Sequence, residues 1–223
     1  AYSGNAPFGT LTPQAKQWAA MVTRVDAHFG NILAALEDPD GDGDRSDSVA
    51  DNTLVIFLSD NGGGGGADNR PLRGRKGQMW EGGVRVPCIV RWPAVLPAGK
   101  TCDELLTSLE ILPTIAAATD AALPDGVTLD GFNMLPVLKG ELPSRRTTMF
   151  WKRRNYKAAR VGNWKWVDMG DAGNGLFDLS VDTGERRNLA AQQPEILNSV
   201  RKKFTKWLKQ MHASEPRGPF RNF

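Results

Sequence analysis

Apolar residues recur at three- and four-residue spacing near both ends of the chain, which is the pattern of an amphipathic helix. The first stripe comprises Trp18, Met21, Val22, Val25, Phe29, Ile32, Leu33 and Leu36. Thr12 is a favourable N-cap for this helix, and Pro13 suits its first turn. The second stripe comprises Ile196, Leu197, Val200, Phe204, Trp207, Leu208 and Met211. We therefore predict one helix beginning at Thr12 and another running from Pro194 to about His212, each packed on an apolar neighbour.

Two apolar runs between these helices predict strands. Thr53–Leu58 and Val86–Trp92 are continuous enough to be buried on both faces. A helical run follows from about Asp103 to Thr119, interrupted or started afresh near Pro113. This succession of helix, loop and buried strand favours an α/β fold. The first strand leads into Ser59-Asp60-Asn61-Gly62, at the carboxyl end where open α/β sheets bind their ligands.

Beyond Gly131 the pattern changes to short segments separated by turn residues, as in an antiparallel meander. These segments are 147–151, 156–161, 164–168 and 176–179, and we expect the terminal helix to cover the sheet that they form. The predicted fold class is thus α/β: part of a large mixed sheet flanked by helices, plus a small C-terminal antiparallel sheet covered by a helix. The predicted division places 1–143 in the first part and 144–223 in the second.

Composition excludes several classes of protein. The chain has 223 residues, of which 40% are hydrophobic and 24% charged, as in ordinary globular proteins. Its formal net charge of +3 is too small to indicate nucleic-acid binding. The longest apolar run, Leu54–Leu58, is far shorter than the roughly 20 residues of a membrane-spanning helix. The first residues also lack the pattern of a secretory signal. Whether Cys88 and Cys102 are paired stays open.

Two short segments offer candidate chemistry. Asp60 and Asn61 carry the carboxylate and amide oxygens that Ca²⁺ or Mg²⁺ binds, although an Asp-Asn-Gly sequence is equally typical of a capped turn. Farther along, Arg73 and Lys76 lie among glycines that would let the backbone approach an anion. The alternative there is a solvated basic loop.

Taken together and in order, these segments resemble the sulfatase family, which hydrolyses sulfate esters and lies within the alkaline phosphatase superfamily. The resemblance rests on Asp60-Asn61, the glycine run after it, Leu72-Arg73-Gly74-Arg75-Lys76-Gly77 and Trp80-Glu81-Gly82-Gly83-Val84-Arg85-Val86-Pro87. It extends over most of positions 18–210, taking in 108–115 and the C-terminal runs 157–166, 176–179 and 183–189.

The resemblance implies a role for each matching residue. Asp60 and Asn61 match the family's metal-binding pair, which implies Ca²⁺ or sometimes Mg²⁺, and Lys76 matches the catalytic lysine that holds the oxygens of the sulfate ester. Arg73 is assigned to the substrate side of the same loop, where it and Glu81 would order the loop rather than react. The implied substrate is a sulfated small molecule or glycan, and the family favours a periplasmic or secreted location.

The chain also departs from the family pattern. The family nucleophile is a formylglycine made within a Cys/Ser-x-Pro-x-Arg motif, and this sequence has no such motif. Ser214-Glu215-Pro216-Arg217 comes near it, with the arginine one place early. The family's N-terminal metal-binding aspartates are missing too, and His28 and His212 suit structural roles. We therefore predict the C-terminal part of a sulfatase, inactive alone, whose partner is the missing N-terminal part.

Other functions stay open at this point. A phosphonate or phosphodiester hydrolase of the same superfamily would share the Asp-Asn strand. A non-catalytic, calcium-dependent module that binds sulfated glycans would need no nucleophile. A second calcium site is a further alternative, because Asp38–Asp44 opens like an EF-hand loop, but Val49 stands where that loop needs a bidentate Glu. The identity of the substrate and the oligomeric state cannot be read from the sequence.

Overall fold

The computed structural model of the chain describes residues 12–123, 126 and 128–214. The helices are α1 (Pro13–Glu37), α2 (Glu81–Val84), α3 (Ile111–Ala118), α4 (Leu135–Lys139) and α5 (Pro194–Ala213). The strands are β1 (Val55–Leu58), β2 (Cys88–Arg91), β3 (Thr148–Arg153), β4 (Tyr156–Val161), β5 (Trp164–Asp168) and β6 (Asn174–Asp178). Short 3₁₀ helices lie at Ala50–Asn52, Ser108–Glu110 and Gly170–Ala172.

The described residues form two compact units. The first unit contains the residues up to Leu58 together with those from Pro87 to Arg146. The second unit contains Ser59–Val86 together with the residues from Thr147 onward. The segment that carries Asp60 and Lys76 thus belongs to the same unit as the C-terminal sheet, whereas the sequence groups it with residues 1–143. As a statement about the domains of an intact protein, the predicted division at residue 143 stays a prediction.

Helix α1 and the strand pair β1–β2 are the main elements of the first unit. Thr12 caps α1 as predicted, because its hydroxyl accepts a hydrogen bond from the Ala15 N–H at 3.2 Å. The rings of Phe29 and Phe57 pack 4.8 Å apart between α1 and β1. The two strands pair antiparallel. They are less buried than the sequence suggests, because Cys88 and Ile89 are exposed and β1 is half-buried throughout.

The remaining helices of the first unit enclose a small polar core. A 3₁₀ turn at Ser108–Glu110 begins with a capping box in which the Glu110 carboxylate accepts the Thr107 N–H at 2.6 Å. Arg146 forms an ion pair with the other oxygen of the fully buried Glu110. The Thr114 hydroxyl accepts the Met134 N–H at 2.9 Å and so fixes the start of α4 against α3. Cys88 and Cys102 are both exposed and unpaired.

A four-stranded antiparallel sheet forms the centre of the second unit, in the order β3-β4-β5-β6. Successive side chains of a strand point to opposite faces, and here both faces are covered. On one face α5 packs through Val200 and Phe204 against Trp166 and its neighbours, as the sequence predicts. On the other face Met79 and Trp80 pack against the sheet, together with Ala158, Val167, Met169 and Phe177. The sheet is therefore the middle layer of its own unit.

The observed architecture confirms the predicted fold class, since a mixed α/β chain ends in a small antiparallel sheet with a terminal helix over it. Among the described residues, no helix combines the length and the hydropathy that crossing a bilayer requires.

Candidate active site

The segment that follows β1 places the predicted metal-binding pair in a bend. Asp60 is exposed and Asn61 is half-buried. The Ser59 hydroxyl donates to the Asn61 carbonyl at 2.8 Å, which fixes the backbone of the bend. Immediately afterwards the Gly62 N–H donates to the Gly83 carbonyl at 3.1 Å. The side chains of Asp60 and Asn61 therefore stand on a backbone that is held from both sides.

The loop that carries Lys76, residues 69–80 and here called the Lys76 loop, lies directly beside this bend. The Lys76 N–H donates to the Gly63 carbonyl at 3.0 Å, and a Cβ built on Gly64 would stand 3.1 Å from the Cβ of Lys76. The Asn69 side chain bridges the two segments, because its amide group bonds the N–H and carbonyl of Gly63 and the carbonyl of Gly74. The backbone of Lys76 is thus hydrogen-bonded to Gly63, which lies two positions after Asn61 in the sequence.

The cations of the Lys76 loop have different environments. Arg70 pairs with Asp68 in its own loop, and its hydrogen bonds lower the pKa of Asp68 to about 2. Arg73 stacks on Trp80, with its guanidinium carbon 3.8 Å from the ring centroid, and donates to the Glu185 carbonyl at 3.0 Å. Lys76 is exposed, and within the described part of the chain it has no ion pair. Its ammonium is therefore available to an anion.

Arg73 also lines a surface cavity of about 490 Å³ in the second unit. The other lining residues are Pro71, Gly184, Glu185 and Arg186. Stacking on Trp80 gives the Arg73 guanidinium a fixed orientation at this cavity. Its assignment to the substrate side of the loop stays a prediction.

Glu81, which follows the Lys76 loop, belongs to a buried charge cluster formed by Glu81, Lys165 and Glu185. The Lys165 ammonium lies 2.7 Å from a Glu81 carboxylate oxygen and 3.0 Å from a Glu185 carboxylate oxygen. The other Glu185 oxygen accepts the backbone N–H of Glu81 at 2.6 Å. Lys165 and Glu185 are fully buried, and Glu81 is 3% exposed. Two carboxylates and one ammonium thus share a site that excludes water.

The burial of this cluster shifts the pKa of Glu185. Burial removes the water that would stabilise a charged Glu185, and this effect outweighs the attraction of Lys165 and the hydrogen bond from Glu81. Burial therefore raises the pKa of Glu185 above its ordinary value.

The donor chemistry at Asp60 and Asn61 fits part of a hard-cation site. Carboxylate and amide oxygens are ligands that Ca²⁺ accepts, but Ca²⁺ takes about six to eight oxygens. Within the described residues, the acidic side chains that converge in a group of three are Asp38, Asp40 and Asp47 rather than any set that includes Asp60. Asp60 and Asn61 can therefore hold a cation only together with further oxygens from water, substrate or another protein segment.

The other candidate positions in the sequence have simpler surroundings. In the Asp38 loop, the two carboxylate oxygens of Asp38 accept hydrogen bonds from the N–H groups of Gly41 and Gly43 at 2.9 and 3.0 Å. The Asp38 side chain thus stabilises the turn that follows it. His28 and His212 are exposed on α1 and α5. The near-motif that starts at Ser214 lies outside the described residues from position 215 onward.

Sequence reasoning missed Lys165 and Glu185. Lys165 follows Trp164 and precedes Trp166, so a lysine on the polar side of a surface strand is the ordinary expectation. Its carboxylate partners lie 84 residues before it, at Glu81, and 20 residues after it, at Glu185. A signal was present in the two charged residues of segments that match the family, Glu81 and Glu185, but nothing in the sequence pairs them.

Known protein families match most of the chain. Residues 5–121 match the family model described as Sulfatase, and residues 75–214 match the model described as N-sulphoglucosamine sulphohydrolase, C-terminal. The chain is 35% identical over 226 residues to a protein of Formosa agariphila named Sulfatase, covering 89% of this chain and 41% of that protein. It is 33% identical over 237 residues to human Arylsulfatase A, covering 89% and 43%.

A solved structure is similar over the same extent. The crystal structure of Ps i-CgsB in complex with k-i-k-neocarrahexaose superposes with a TM-score of 0.77 at 30% identity, covering 88% of this chain and 44% of that one. The chain thus spans less than half the length of these relatives. Two family models that together extend from residue 5 to residue 214, and relatives above 30% identity, lead to one conclusion: the chain belongs to the sulfatase family.

Proposed function

We propose that the whole protein hydrolyses sulfate esters, with Asp60 and Asn61 binding a divalent cation and Lys76 binding the oxygens of the sulfate ester. The observation that carries this proposal is the hydrogen bond from the Lys76 N–H to Gly63, two residues after Asn61, in a chain of the sulfatase family. It supports a common site for the predicted metal pair and the predicted catalytic lysine.

The charges of this segment suit that reaction. Substitution at sulfur concentrates negative charge on the ester oxygens and the leaving group, so preorganised positive groups lower its barrier. The Lys76 ammonium, exposed and without an ion pair in the described residues, would bind those oxygens. A bound Ca²⁺ or Mg²⁺ would supply further electrostatic stabilisation of the same oxygens. Arg73, held by Trp80, would bind the substrate farther along the loop.

The nucleophile in this proposal is a formylglycine on an upstream part of the same protein. Two observations support such a part. The chain spans 41–44% of the relatives described above. Helix α1 also exposes the apolar stripe that Met21, Val22, Val25 and Ile32 form, each more than half exposed. An upstream segment that covers this stripe would remove a contiguous apolar patch from water.

The substrate class proposed here is a sulfated small molecule or glycan. The complex of Ps i-CgsB with k-i-k-neocarrahexaose supports the glycan arm, since that protein is 30% identical to this chain over 88% of its length. Turnover of an aryl sulfate and of a sulfated oligosaccharide, measured side by side, distinguishes a small-molecule substrate from a glycan substrate.

The central test is Lys76→Ala in the protein expressed with its upstream reading frame, with Arg75→Ala as the matched control. Both side chains are exposed in one loop. We expect Lys76→Ala to lower kcat for a sulfate ester roughly 10²- to 10³-fold, as the loss of one stabilising group for a developing oxyanion does. Arg75→Ala should leave kcat within about twofold of wild type. Equal rates for wild type and Lys76→Ala would refute the assignment.

Two further measurements separate the alternatives. Faster turnover of a phosphonate or phosphate diester than of the matched sulfate ester would indicate a phosphonate or phosphodiester hydrolase instead. Calcium-dependent binding of a sulfated glycan without any turnover by the whole protein would indicate a binding module. Residues 1–223 alone, which lack the formylglycine motif, should show no sulfatase activity above background.

A further inference from the structure

The buried charge cluster of Glu81, Lys165 and Glu185 calls for an explanation beyond stability. Its ammonium–carboxylate distances are 2.7 and 3.0 Å, and Lys165 and Glu185 have no exposed surface. Removing charges from water is so unfavourable that well-packed apolar residues of similar volume usually stabilise a protein equally well or better. Stability alone therefore does not explain a buried cluster of two carboxylates and one ammonium.

The cluster fixes a backbone segment as well as three side chains. Because Glu185 accepts the Glu81 N–H at 2.6 Å while Lys165 holds the Glu81 carboxylate, Glu81 is bound at both its backbone and its side chain. Glu81 is the first residue of α2, so these contacts set the position of Gly82 and Gly83 next to it. Lys165 lies on β5 of the central sheet of the second unit, and Glu185 lies in the loop that follows β6.

Gly82 and Gly83 in turn contact both segments of the candidate active site. The Gly82 N–H donates to the Arg73 carbonyl at 2.7 Å, and the Gly83 carbonyl accepts the Gly62 N–H at 3.1 Å. A Cβ on Gly62 would lie 1.8 Å from the Gly82 carbonyl oxygen, and one on Gly83 would lie 2.2 Å from that of Gln78. The backbones touch directly, so a shift of α2 moves the Asn61 bend and the Lys76 loop with it.

We propose that Lys165 and Glu185 are positioning residues for the active site, acting through Glu81 and the two glycines on the Asn61 bend and the Lys76 loop. The relay runs from the sheet through the buried charge cluster to α2, and from α2 to the backbone that carries Asp60, Asn61 and Lys76. In this proposal Lys165 and Glu185 act through Glu81 rather than on the substrate. The catalytic role of this site rests on the proposed sulfatase function, whereas the chain of contacts is a property of the protein itself and can be tested without any substrate.

The test is residue-resolved amide hydrogen exchange on the 223-residue chain. The key variant combines Glu81→Gln, Lys165→Met and Glu185→Leu, which removes all three charges, leaves none of them unpaired and deletes the acceptor of the Glu81 N–H. We expect the Gly62, Gly82 and Lys76 N–H groups to exchange roughly tenfold faster, while the N–H groups shared between β4 and β5 keep their protection. A purely stabilising cluster would change both sets together or neither.

A milder variant serves as the matched control. Glu185→Gln keeps an amide oxygen that can accept the Glu81 N–H, so the exchange of Gly62 and Lys76 should stay much closer to wild type than in the triple variant. Unchanged protection at Gly62, Gly82 and Lys76 in a folded triple variant would overturn the proposal.

A second measurement needs no variant and remains decisive if the triple variant fails to fold. In wild type, exchange at increasing urea should show the Gly62, Gly82 and Lys76 N–H groups opening in the same cooperative step as the amides of β5 and β6. Opening of these three amides in a separate step of lower free energy would overturn the relay. Neither measurement involves sulfate, metal or turnover, so a negative result here leaves the Lys76→Ala test of function untouched.

Discussion

The two compact units of the chain use their apolar residues in opposite ways. In the first unit, α1 has no buried residue, and Met21 and Val22 are 58% and 65% exposed. In the second unit, Phe177 and Leu176 of a single strand are both buried, on opposite faces of the sheet. The sequence predicts an apolar stripe on a helix of each unit, α1 in the first and α5 in the second. The difference lies in whether the described part of the chain supplies the residues that cover the apolar face.

Periodicity therefore predicts which side of an element is apolar, and it says nothing about the partner. The terminal helix α5 has its partner in the same unit, where the rings of Phe204 and Trp166 lie 5.3 Å apart. Among residues 12–123, 126 and 128–214, helix α1 has one comparable aromatic contact, between Phe29 and Phe57. Under the proposed function, the uncovered stripe of α1 is the surface that an upstream part of the protein would cover.

The largest effect should come from removing a ring in the second unit. Phe177 is 1% exposed and meets Trp80 edge-on at 5.5 Å, so Phe177→Ala should lower the free energy of unfolding by about 3–5 kcal/mol. Met21→Ala, on the exposed stripe, should change it by no more than about 0.5 kcal/mol. Urea unfolding of the two variants and wild type measures both values. A large loss from Met21→Ala would mean that the stripe is covered in solution, for example by a second copy of the chain.

The free energy of unfolding of the second unit should depend on pH because it contains the buried carboxyl of Glu185. Burial raises the pKa of this carboxyl, so folding favours its protonated form. Its contribution to the free energy of unfolding is complete below its ordinary pKa and is lost as pH rises through the raised value. Glu185→Gln has no proton to lose, so its stability relative to wild type should increase as the pH rises above the ordinary carboxyl pKa of 4.5. A difference that stays constant as the pH rises would show that Glu185 titrates as an ordinary carboxyl.

Much of the fold could be predicted because its signals are local. Turn residues separate the segments 156–161 and 164–168, which are the bounds of β4 and β5. Thr12 and Pro13 mark the start of α1 within one residue. The covering of the second sheet face by Trp80 could not be predicted, because Trp80 is far from the sheet in sequence and reaches it only through the path of the Lys76 loop.

The candidate site, like the fold, could be predicted only in part from the sequence. Asp60, Asn61 and Lys76 were found from short motifs, and their roles in metal and sulfate binding stay predictions. Lys165 was missed because strand alternation gives only the face of a residue, and that face turns out to be covered rather than solvated. Its partners were missed because ion pairs between residues far apart in sequence, such as Glu81 and Lys165 at a separation of 84 positions, produce no pattern in the sequence.

The smallest effect should come from the cap of α1. Thr12→Ala removes the hydroxyl that accepts the Ala15 N–H, and such a loss costs about 1 kcal/mol of local helix stability. Exchange at the Ala15 and Lys16 N–H groups should quicken, while the β4–β5 amides and the urea midpoint of the second unit stay as in wild type. Gln17→Ala, on the exposed surface of the same turn, is the control. If Thr12→Ala also destabilised the second unit, the two units would unfold as one cooperative body. They would then differ in how far their apolar residues are exposed, but not in their stability.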